Sequence, residues 1–102
     1  VRPIEGEVVV GKHRVNALYG TGLDVALRAN DIHDLVIFGY ATSGVILSTA
    51  RYGADLDYNL IVVEDCCADS DVEVHDFLTQ RIFPRQAELV GSDEVIRALE
   101  AI

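Results

Sequence analysis

The stretch "GYATSGVILSTA", Gly39 to Ala50, decides how this chain is read. The apolar run "LVIF" (35–38) leads into it, small polar residues turn it, and a helical pattern starts near Gly44. It therefore reads as a strand end, a tight turn and the first turns of a helix. A helix N-terminus collects N–H groups that have no intrahelical acceptor, and it favours anions. A catalytic group fits such a junction, yet the position just inside the helix is Gly44, which has no side chain.

Working outward, two more β-branched runs stand beside "LVIF": "EVVV" (7–10) and "LIVV" (60–63). Each is apolar on consecutive positions instead of alternating, the pattern of strands covered on both faces of a parallel sheet. Helical segments separate them. Thr21 can cap one helix, with Asp24 three residues on and Leu23, Ala26 and Leu27 as its apolar stripe. A second helix runs from about Gly44 to Asp55. A third follows Asp69 or Ser70 and stops before Pro84. "AELV" (87–90) reads as a short further strand, and Ser92 as the cap of a last helix reaching Ala101. The order βαβαβα(β)α implies right-handed crossovers and a layered α/β fold with a mainly parallel sheet.

Composition narrows the function classes. The chain has 102 residues, enough for one domain, and a formal net charge of −9, which argues against a nucleic-acid partner or an anionic membrane surface. Apolar runs such as Leu60 to Val63 are far too short to cross a bilayer or form a signal-peptide core. Cys66 and Cys67 are adjacent, which suits neither a disulfide framework nor a zinc site, so a reducing cytoplasm is the expected home.

In a parallel sheet, ligands bind outside the carboxyl ends of the strands. Those ends should bring Lys12, the Thr42–Ser43–Gly44 turn and Asp65 to one edge. Lys12, the only lysine, can stabilise a developing anion or carry a proton, or it is a solvated surface side chain. "ATSGV" offers an oxyanion hole in its backbone N–H groups, or Thr42 or Ser43 only caps the helix. Ser43, Asp65 and His75 occur in the chain order of an α/β-hydrolase triad, but there is no G-x-S-x-G elbow and His75 falls inside a helix. His13, His33 and His75 lack metal-ligand spacing. Cys66 and Cys67 read as packing residues, and the acidic cluster Glu64, Asp65, Asp69, Asp71, Glu73 reads as a solvated loop and helix N-terminus.

Taken in order, a K-x-R-x-(S/N)-A segment (Lys12 to Ala17), T-x-L (Thr21 to Leu23), G-x-x-T-x-x-V (Gly39 to Val45) and an Asp after the next strand resemble the isochorismatase-like hydrolase superfamily. The likeness runs from about Glu7 to about Val90. It implies a three-layer αβα, Rossmann-like domain nearly twice this length, of which residues 1–102 are the C-terminal portion. The family's machinery is Asp, Lys and Cys. Lys12 matches the lysine, Gly44 stands at the cysteine position, and the Asp-bearing strand and the metal ligands of nicotinamidases would lie upstream.

The resemblance further implies a cis bond at Ala41–Thr42, with Ala41, Thr42, Ser43 and Gly44 forming the anion-binding turn. It points to hydrolysis of a small organic substrate, such as a vinyl ether, without a thiol. No cofactor or metal is expected. The expected partners are a small-molecule substrate and either a second copy of the chain or a missing N-terminal segment. The alternative is a non-catalytic α/β interaction module or pseudoenzyme fragment.

Overall fold

The computed structural model describes residues 2–102. Three parallel strands in spatial order β1-β2-β3 form its sheet: β1 (Asp34–Tyr40), β2 (Asn59–Ala68) and β3 (Ala87–Val90). Helix α1 (Leu23–Ala29) precedes β1. The turn Thr42–Ile46, kinked at Gly44 (φ −103°, ψ −105°), leads into α2 (Leu47–Asp55), which returns the chain to β2. Helix α3 (Val72–Phe77) continues through a wide turn (Leu78–Ile82) and a 3-10 turn (Phe83–Arg85) to β3, and α4 (Ser92–Glu100) closes the described chain. Among the described residues, no helix is long and apolar enough to cross a membrane.

The pleat sorts side chains into layers. Leu60, Val62, Leu35 and Ile37 face α2 and the α3 region, where Ile46, Ala50, Leu78 and Phe83 meet them. Val62 is fully buried, and Ile46 and Phe83 nearly so. Burying each such side chain is worth about 1.5–3 kcal/mol. The opposite face carries Val36, Ile61 and Val90, and α4 lies over it at a distance, with Val95, Ala98 and Leu99 lining the far side of an open cavity of about 260 Å³. The result is three layers, α/β/α.

Expected elements 35–38, 60–63 and 87–90 are all strands, and the four helices exist. The run "EVVV" is a correction: residues 7–10 are irregular chain, with Val8 and Val9 more than 70 % exposed. A strand needs a hydrogen-bonded neighbour, and among the described residues none pairs with this segment. Lys12 is therefore not delivered by a strand end. Helix starts shift by a residue or two. Gly22, not Thr21, is the N-cap of α1, although Thr21 Oγ1 accepts from the Leu23 N–H at 3.3 Å. Asp71, not Asp69 or Ser70, caps α3 by accepting from Glu73 and Val74. Gly91, not Ser92, precedes α4.

β1 is an edge strand, and its outward residues Val36, Phe38 and Tyr40 are exposed. The continuous apolar pattern thus anticipated burial that this chain supplies on only one face of β1. Between Ile37 and Gly39 the register with β2 jumps from Val62 to Cys67, so Val63 to Cys66 have no partner on β1, while Val63 still pairs with Val90 on β3. Gly39 occupies that jump at φ +142°, a conformation glycine alone adopts freely.

Helix α2 lies close on the sheet because Gly53 is small. A Cβ there would sit 3.3 Å from Leu60 Cδ2 and 3.7 Å from Leu18 Cδ1. Gly53→Val is expected to lower unfolding stability by about 1–3 kcal/mol through overpacking, read from the midpoint of urea denaturation.

Candidate functional site

The turn that leads into α2 is built from its backbone outward. The Tyr40–Ala41 peptide is cis, one residue earlier than the resemblance implied. The Ala41 carbonyl accepts from the N–H groups of Gly44 (3.1 Å) and Ile46 (3.3 Å). Thr42 is completely buried, and its Oγ1 lies 2.7 Å from His75 Nδ1 on α3. A buried hydroxyl without a partner costs about 1–3 kcal/mol, so His75 secures this corner. Ser43 donates both its N–H (2.8 Å) and its hydroxyl (2.5 Å) to the Asp69 carboxylate. Two amides of the turn, those of Ser43 and Gly44, are thus engaged within the protein.

Asp69 is held below the usual carboxylate range by the Ser43 hydroxyl and amide, with the Asp71 N–H and the nearby His75 adding to the effect. Asp65 is lowered in the same way by Ser92, whose N–H and hydroxyl it accepts at 2.8 and 2.7 Å. Asp65 therefore anchors the start of α4 and does not join Lys12 and the turn as the strand-end argument expected. The β2 bulge sets it on that course. Cys67 packs in the core, where desolvation pushes its thiol up from the ordinary value, and Cys66 is exposed.

Lys12 is exposed, and its Nζ donates to the Arg14 carbonyl at 2.9 Å. What positions this segment is Asn16, buried against α2. Its Nδ2 donates to the Ser48 carbonyl (2.9 Å) and Ser48 Oγ (3.2 Å), and its Oδ1 accepts from Leu18 and Tyr19 (2.7 and 2.8 Å). The Ala17 N–H donates to Thr49 Oγ1 at 3.0 Å. Val15 is thereby brought beside the turn: its Cγ1 would lie 3.9 Å from a Cβ placed on Gly44. Asn16 stands inside the K-x-R-x-(S/N)-A motif, and a polar residue next to apolar Ala17 and Leu18 was the available signal for this clasp. The sequence marks His75 only as a candidate triad member and Asp69 only as part of an acidic loop and helix start, since their actual partners lie 33 and 26 residues away. Among the described residues, no three His, Cys, Asp or Glu side chains converge as a metal site requires.

With this geometry in place, the kinship is direct. Residues 1–94 match the isochorismatase domain, and the chain belongs to that family. It is similar to the uncharacterised isochorismatase family protein YecD of Escherichia coli O157:H7, 33 % identical over 95 residues, covering 93 % of this chain and 50 % of YecD. It superposes on an isochorismatase family protein of Burkholderia thailandensis with TM-score 0.90 and 38 % identity, over 98 % of this chain and 52 % of that one. The N-carbamoylsarcosine amidase of Thermoplasma acidophilum aligns with TM-score 0.77 and 36 % identity, over 90 % of this chain and 52 % of the amidase. The chain spans about half the length of each of these relatives.

The Asp69 carboxylate has its folded-state pKa depressed, so the stability it adds is present above the unfolded value, about 3.9, and is lost as pH falls through the lower folded value. Asp69→Asn is expected to be less stable than the wild type at neutral pH and to lose less on acidification. Urea denaturation at stepped pH from neutral into the acid range measures both.

Proposed function

We propose that this chain is the C-terminal portion of an isochorismatase-family hydrolase that works without the nucleophilic cysteine, on a small organic substrate. Membership of the family supports the hydrolase class. The observation that carries the thiol-free chemistry is the space at Gly44. A Cβ there would meet only Ala41 Cβ and Val15 Cγ1, both at 3.9 Å, so a side chain fits and its absence is not imposed by packing. Amide hydrolysis through an acyl-enzyme needs a nucleophile at that point. Cleavage of a vinyl ether does not: a proton adds to the vinyl carbon, water adds to the resulting oxocarbenium, and the hemiketal releases an alcohol and a carbonyl compound. Lys12 is the proton or charge carrier in this reading, Ala41 to Gly44 the turn that borders the reacting group, and an upstream Asp-bearing segment completes the site.

One observation favours the non-catalytic alternative. Asp69 already places a carboxylate on the Ser43 amide, where an anionic ligand of the turn would otherwise bind. The two readings separate in an assay of the full-length gene product with small vinyl ethers and small amides, with and without iodoacetamide. The expected result is vinyl-ether turnover insensitive to alkylation and reduced at least about 100-fold in kcat by Lys12→Met, with no amide hydrolysis. Amide hydrolysis abolished by iodoacetamide overturns the proposal, and a folded full-length protein inert toward every substrate favours the interaction module.

The bare outer face and free edge of β1 support a further part of the reading: the chain associates with a completing N-terminal segment or a second copy. Val36, Phe38 and Tyr40 are 46 %, 60 % and 68 % exposed, and unpaired edges of this kind recruit further strands. Sedimentation of the chain over a concentration series is expected to show species heavier than 11.1 kDa. A monodisperse, cooperatively folded monomer would rule this association out.

A further inference from the structure

Residues 2–9 are all exposed, and the chain is fastened to α2 only from Asn16 onward, through Ser48. Before that anchor lies an arm with the composition of a strand and no strand partner. Val8, Val9 and Val10 are β-branched in succession, and among the described residues they make no main-chain hydrogen bond. The hydrogen bonds just before them join only Ile4 and Glu7 to each other.

β1 offers the missing partner. It pairs with β2 along one edge and with no strand along the other. Natural edges are blunted by Lys, by Pro or by inward-pointing charge, yet "DLVIFGY" (34–40) carries Asp34 at its start and none of these after it. An apolar cavity also lies on each face beside this edge. On the side of α1 and α2, Leu18, Leu23, Leu27, Leu35 and Phe38 line about 330 Å³. On the side of α4, Ile61, Val90, Val95 and Leu99 line about 260 Å³. Val36 borders both. A strand laid along β1 sends alternate side chains to the two faces, so a strand apolar on consecutive positions is needed to fill both. Residues 8–10 are such a run, and the chain does not lay them on its own β1.

We propose that residues 7–10 of one copy add as a strand to the free edge of β1 in a second copy, reciprocally, in a two-fold dimer. The inference rests on the association proposed above and selects the second copy as the occupant of the edge. The addition is parallel, because every pair in the sheet is parallel and unbroken apolar runs belong to parallel strands. Charge agrees with that direction. Lys12 and Arg14 follow the arm and form no ion pair among the described residues of their own chain. Parallel addition carries them to the carboxyl end of β1, where Asp69, Asp71 and Glu73 of the other copy follow β2. Reciprocity closes the assembly at two copies. Covering Val8, Val9, Val36, Phe38 and Tyr40 in both copies removes on the order of 1,200 Å² from water, the size at which specific interfaces become stable.

The test is sedimentation equilibrium of the full chain and two variants, with NMR on a mixture of isotope-labelled and unlabelled chains. The wild type is expected at twice 11.1 kDa. Val9→Lys places a charge between the two cavities and is expected to raise the dimer Kd at least about tenfold. Val9 is 71 % exposed in the single chain, so this variant keeps its fold. Ile102→Lys makes a like change at a fully exposed position outside the arm, and is expected to stay within about twofold of the wild type. In the mixed sample, contacts between copies are expected to join the methyls of Val8 to Val10 with Val36 and Phe38. They should advance along β1 as the arm is followed toward Val10. A heavier species whose contacts lie elsewhere, or a Val9→Lys chain that dimerises like the wild type, overturns this pairing and leaves the broader association standing. So do contacts in the reverse order, an equal loss in Ile102→Lys, and an open series of species beyond two copies. A monodisperse folded monomer overturns both, including one whose arm contacts its own β1.

Discussion

Thr42 sits at the corner where β1 becomes α2, wholly out of solvent, with its hydroxyl 2.7 Å from His75 on α3. Around it the chain has little freedom. The Ala41 carbonyl accepts from two amides, and Ser43 is held through its N–H and its hydroxyl by Asp69. Two crossovers, one after β1 and one after β2, are thereby tied together at the same end of the sheet. Ile46, one turn further on, then faces Val62, Cys67, Leu78 and Phe83 in the core. Loss of this corner would detach α2 from α3, and with it the surface on which Asn16 fastens the Lys12 segment.

Carboxylates do much of the positioning in this acidic chain. Asp65 accepts from Ser92 at the start of α4, Asp69 from Ser43 at the turn before α2, and Asp71 from Glu73 and Val74 at the start of α3. Each places a negative charge where helix amides lack partners and the helix dipole is positive. The cluster that reads in sequence as a solvated loop and helix N-terminus therefore serves three different helices. The negative charge is concentrated there, and the Lys12–Gly20 segment, free of acids, stands apart as the cationic surface beside the turn.

Several features were legible because they depend on neighbours in the chain. The runs 35–38, 60–63 and 87–90 become strands and α2 follows the polar turn, since burial pattern and turn chemistry are local properties. Lys12 and Gly44 stand out by residue type and spacing alone. The failure at "EVVV" has the opposite cause: three valines carry β-propensity, but a strand is made by a partner, and residues 7–10 have none here. The roles that Asn16, Asp69 and His75 actually play were likewise not legible, because they exist only through residues 26 to 33 positions away.

Taken by itself, the sequence determined the α/β class, the order of its helices and of three of its strands, the family motifs and the absence of a side chain at position 44. These follow from periodicity, turn residues and composition, which act over a few residues. Tertiary structure alone decided that Asp65 belongs to α4 and not to the turn, that Asp69 occupies the Ser43 amide, and that Asn16, not a strand, fastens the segment following Lys12 and Arg14 to α2. Hydrogen bonds between distant segments are chosen when the layers pack, since only then do the groups meet and lose water together.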